Sequence, residues 1–67
     1  MTSLGDIFVN KWDSNYIFLV IEKKEKIELF PQMYLCYMLT SVTSRYLTIS
    51  ELDIRKYYTK LELLSYV

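Results

Sequence analysis

The chain has 67 residues, 52% of them hydrophobic and 16% aromatic, which allows one domain spanning residues 1–67 around one small core. A single cysteine and no histidine exclude an internal disulfide, the usual serine and cysteine triads and any histidine-ligated metal. Eight Lys and Arg balance eight Asp and Glu, which counts against both a nucleic-acid binder and a nucleic-acid mimic.

In chain order, Gly5-Asp6 is a turn-type opening, and the β-branched and aromatic run Ile7-Phe8-Val9 predicts a first strand. Asp13-Ser14-Asn15 is a compact turn signal, because such side chains hydrogen-bond their own backbone. Tyr16 to Ile21 is the strongest strand of the chain, and its apolar character on both faces predicts a central strand covered on each side. Glu22 to Lys26 reads as a charged hairpin connection whose interleaved signs fit a solvated tip. Lys26-Ile27-Glu28-Leu29 alternates polar and apolar, so a strand is expected to resume there until Pro31 interrupts it.

Met33 to Thr40 predicts a long strand with Tyr34, Cys36 and Met38 on one face and Met33, Leu35, Tyr37 and Leu39 on the other. Ser41 to Ser44 is a polar break, and Arg45 to Ile49 a further short strand with Tyr46 and Thr48 opposite Leu47 and Ile49. Ser50 then begins a helix as an N-cap, with Glu51 and Asp53 in the first turn facing the positive end of the dipole. Ile54, Tyr57, Tyr58 and Leu61 share one helical face, whereas Lys60 to Leu63 alternates like a closing strand and Leu64 extends the helical face again. Residues 59–66 fit either a helix or a closing strand, and a short helix followed by a last strand is the preferred reading. Four or five strands and a late helix make a small, curled antiparallel sheet, and closure into a barrel would remove its edges.

Taken in order, Gly5-Asp6-Ile7-Phe8, a turn, Tyr16-Ile17-Phe18-Leu19-Val20, a long central strand, a short strand, then Ile49-Ser50-Glu51-Leu52 and Tyr57-Tyr58-Thr59-Lys60-Leu61 resemble the small SH3-like β-barrel accessory proteins of bacterial viruses. The resemblance covers most of the chain and is a pattern of elements. It implies a mainly β fold, a five-stranded antiparallel barrel with one short helix near the C-terminus. It also implies a binding module, a viral accessory protein that inhibits or redirects a bacterial host or defence protein. The first connection, Trp12 to Asn15, is shorter than the loop that binds proline-rich peptides in eukaryotic signalling members, which counts against that form of recognition.

Seven tyrosines, three phenylalanines and one tryptophan are more than so small a core can hold, so part of them is expected at the surface as a binding patch. Trp12 is the candidate anchor, and Tyr34, Tyr37 and Tyr46 from neighbouring strands would extend it. Tyr57 and Tyr58 cannot both face fully inward, and Tyr58 is taken as the outward member. No catalytic residue, metal or cofactor is expected: Asp6 and Asp13 have no recognisable cleft, and Cys36 sits in a run that reads as buried.

Two further readings remain open. One is a nucleic-acid-binding barrel with tyrosine stacking platforms. The other is an oligomeric sponge that traps a signalling nucleotide between aromatic rings, and it needs a cation such as Arg45, Arg55 or Lys56 beside those rings. Self-association through an apolar strand face is a further expectation. No signal peptide is visible, no apolar run reaches the roughly 20 residues of a membrane span, and the lone cysteine fits a reducing compartment, so a cytoplasmic location is expected.

Overall fold

The computed structural model describes residues 2–40 and 45–62. Five antiparallel strands form one sheet: β1 (Ile7–Asn10), β2 (Ile17–Lys23), β3 (Met33–Met38), β4 (Tyr46–Ser50) and β5 (Tyr58–Leu61), with helix α1 (Glu51–Tyr57) between the last two. Their spatial order is β4-β3-β2-β1-β5. This is the mainly β arrangement with one short helix near the C-terminus that the resemblance implied. The sheet curls into a half-barrel with β4 and β5 at its two edges, and α1 touches both of them across the open side.

The core sits inside the curl, where Phe8, Phe18, Val20, Tyr34, Cys36, Met38, Ile49 and the helix residue Ile54 are buried together. Period-two alternation places them there: Tyr34, Cys36 and Met38 share one face of β3 as the spacing predicted, and that face points inward while their neighbours point out. Gly5 adopts φ +88°, a left-handed conformation that favours glycine, and its N–H donates to the Val20 carbonyl at 2.8 Å. That turn fixes where β1 enters the sheet. Between Val20 and Glu22 the register with β3 shifts, and such an extra residue bends a strand and increases its twist, which helps the sheet curl.

The helix starts where its cap dictates. Ser50 is extended, and its hydroxyl accepts the Asp53 N–H at 3.1 Å. Glu51 and Asp53 occupy the first turn, Arg55 and Lys56 the last, each beside the dipole end of opposite sign. The chain becomes extended at Tyr58 and pairs with β1, so the preferred reading of a helix followed by a strand holds through Leu61. The part of that reading on residues 63–66, and the polar break at residues 41–44, lie outside the described residues.

Two expectations are corrected. Residues 26–29 form no strand: β2 ends at Lys23 and a nine-residue loop, 24–32, leads to β3. Local hydrogen bonds take the place of a ladder there, with the Lys26 Nζ donating to the Ile27 carbonyl at 3.1 Å and to the Phe30 carbonyl, and the Gln32 Nε2 to the Met33 carbonyl at 3.0 Å. Nor is β2 covered on both faces. Phe18 and Val20 are fully buried, but Ile17 and Leu19 are only half-buried and Ile21 is exposed.

Candidate aromatic and apolar docking surface

The five candidate aromatics separate by face. Trp12 follows β1 in a turn held by the Asn10 side chain, whose Oδ1 accepts the N–H groups of Trp12 at 2.9 Å and Asp13 at 3.1 Å. Its side chain is 72% exposed, yet it packs on Tyr57 with ring centroids 5.8 Å apart. The Lys56 Nζ lies 5.3 Å from the Tyr57 centroid, a cation–π distance. The Lys11 N–H donates to the Tyr57 carbonyl at 2.8 Å and so pins this turn to the end of α1.

Tyr37 and Tyr46 stand opposite each other on β3 and β4 with ring centroids 5.1 Å apart in an edge arrangement, Tyr46 being 65% exposed. The ladder registers extend this pair across the sheet. Tyr37 opposes Leu19, Leu19 opposes Ile7, and Ile7 opposes Leu61. One apolar side chain from each of the five strands therefore crosses the outer face in a single row. No described element covers that row.

Tyr34 and Tyr58 do not join the surface. Tyr34 is 4% exposed, and its hydroxyl donates to Glu51 Oε1 at 3.1 Å. The Thr2 hydroxyl donates to Glu51 Oε2 at 2.7 Å, and the Arg55 Nε lies 3.6 Å from the same oxygen. Burial raises the Tyr34 pKa above its ordinary value, and the Glu51 hydrogen bond and charge add to this. Burial alone would raise Glu51 too, but the hydrogen bonds from Thr2 and Tyr34 and the Arg55 charge outweigh it and hold the carboxyl below the usual range. This cluster ties the start of the chain to α1.

Tyr58 turns inward, with its ring 4.8 Å from Phe18 in an edge contact, so Tyr57 is the outward member of the pair. The helix ends one residue before Tyr58, and the switch from helical to strand periodicity reverses which neighbour faces the core.

Other reactive groups are placed structurally. Cys36 is fully buried, and burial pushes its thiol up to about 11. Asp6 accepts the Ser3 N–H at 2.8 Å and pairs with Lys60 at 3.4 Å, at the opposite end of β1 from Asp13. Among the described residues, no group of three or more His, Cys, Asp or Glu side chains could hold a metal ion. No helix among them is long and apolar enough to cross a membrane.

One exposed apolar cluster went unanticipated. In the 24–32 loop Ile27 and Phe30 are exposed, and Leu29 is 96% exposed at φ +77°. Its residues alternate like a strand, which hid it. No family model, curated protein or solved structure matches this chain.

Proposed function

We propose that the chain is a non-enzymatic protein-binding module that docks its partner on the outer face of the half-barrel. One observation carries the reading: the row Leu61, Ile7, Leu19, Tyr37 and Tyr46 crosses all five strands and no described element covers it. An apolar, aromatic-ended face excludes water on contact, and a Tyr–Tyr pair offers contact area at little conformational cost. Trp12 on Tyr57 forms a second, separate anchor at the β1–β2 turn.

The resemblance to accessory proteins of bacterial viruses motivates the partner class, a host or defence protein in the bacterial cytoplasm whose action the module inhibits or redirects. Nucleic acid is the weaker reading, because the chain's net charge is zero.

Affinity capture from bacterial lysate with the wild-type chain and with Tyr46→Ala tests the reading. A partner retained by the wild type and reduced about tenfold or more by Tyr46→Ala, at unchanged thermal stability, is expected. Equal retention of every captured protein by both would refute the docking face.

A further inference from the structure

A cavity of about 560 Å³ opens at the end of the half-barrel where β2 begins and β3 ends, away from the outer row. Its size falls within the range of roughly 300–1,000 Å³ that small-molecule sites occupy. Met38 and Leu47 give it apolar walls, and Tyr16 and Tyr58 both line it. Arg45 is its cation. No ion pair among the described residues engages that guanidinium.

The walls are built before any ligand arrives. The Tyr58 ring is fixed against Phe18 at 4.8 Å. The Tyr16 N–H donates to the Asp13 carbonyl at 3.1 Å, and the Asn10 N–H to the Tyr16 carbonyl at 2.9 Å. Across the cavity, the Thr40 hydroxyl donates to the Asn15 carbonyl and accepts the Ile17 N–H at 3.1 Å. These bonds tie the β1–β2 turn to the end of β3, and a preformed site loses little ordering entropy on binding.

We propose that this cavity binds a nucleoside monophosphate, with the base against the tyrosine rings and the phosphate on Arg45. Aromatic rings accept any base, because every base has a π-face, so no base preference follows. A guanidinium takes a phosphate through paired N–H donors. Asp13 lines the same cavity, and its Oδ1 accepts the Asn15 N–H at 3.0 Å. Its carboxylate can accept a ribose hydroxyl, and its charge repels each further phosphate group, which the single positive charge of Arg45 does not offset. The site therefore selects a monophosphate over a triphosphate.

Amide-shift titrations by NMR test this with AMP, GMP, CMP and UMP, and with adenosine, inorganic phosphate, ATP and a short single-stranded oligonucleotide as controls. Saturable shifts at Asn15, Tyr16, Thr40 and Arg45 are expected, with AMP binding at least about tenfold tighter than adenosine or phosphate alone. Arg45→Ala and Tyr16→Ala, both at exposed positions outside the core, should each weaken AMP by about tenfold, while Tyr46→Ala on the outer face leaves it unchanged.

Absence of saturation by about 5 mM for all four monophosphates would overturn the proposal. So would equal affinity for inorganic phosphate, or full affinity in Arg45→Ala. ATP binding as tightly as AMP overturns the monophosphate assignment, and an oligonucleotide binding more tightly than AMP reassigns the cavity to nucleic acid. None of these outcomes depends on the outer face.

Discussion

Glu51 accepts hydrogen bonds from Thr2 and Tyr34 and pairs with Arg55, and its lowered pKa makes it a source of acid sensitivity. A carboxyl with a folded-state pKa below its unfolded value contributes stability above the unfolded value, lost as pH falls through the folded one. Thermal melts of the wild type should therefore lose stability below the ordinary glutamate range, and Glu51→Gln should flatten that limb while lowering the neutral-pH melting temperature. An unchanged acid limb in Glu51→Gln would place the sensitivity elsewhere. Tyr34 and Cys36 act at the other end. Their raised pKa values leave their contributions intact below the ordinary tyrosine and thiol ranges, and those contributions fade as pH rises through the raised values, about 11 for Cys36. At this scale the sequence showed that Tyr34, Cys36 and Met38 share one face of β3 and that Cys36 lies in a buried run. It did not show that this face points into the core and takes Tyr34 with it. A tyrosine is equally at home in a core that offers its hydroxyl a partner, and that partner, Glu51, lies 17 residues away.

Among the elements, the 24–32 loop departs most from expectation. Its alternation resembles a strand, but β3 pairs instead with the residues before it, up to Lys23. Leu29 then sits in the left-handed region with its side chain 96% exposed, so it bears the steric cost of a Cβ without the return of a buried contact. Leu29→Gly should stabilise the fold by roughly 1 kcal/mol, read as a higher midpoint in urea at constant slope. A lower midpoint would mean that the leucine makes a contact in solution that offsets its strain. The helix shows the reverse case. Ser50, the acidic first turn and the basic last turn are local signals, and the structure places the helix at Glu51–Tyr57 beside them. Its C-terminal limit was less legible, because Tyr58 suits both the helical face and the strand, and pairing with Asn10 decides the matter.

For the whole molecule, the open question at the level of sequence was what covers a second strand that is apolar on both faces. The inner face of β2 lies in the core, and the outer face belongs to a row that the described chain leaves uncovered. Without a partner, copies of the chain can cover this row for each other, since an apolar face is complementary to itself about a two-fold axis. Light scattering is expected to show concentration-dependent dimers in the tens of micromolar range, shifted to monomer by Tyr46→Glu. A wild-type monomer throughout that range would leave the face to a partner protein alone.

Four of the five strands, the capped helix, the shared face of Tyr34, Cys36 and Met38 and the excess of aromatic residues were all legible in the sequence. Each of these follows from local periodicity or composition. Which aromatics share a surface depends instead on register between strands distant in sequence, which no local pattern encodes. The tertiary structure set Tyr46 beside Tyr37, Tyr57 beneath Trp12 and Arg45 in one cavity with Tyr16 and Tyr58.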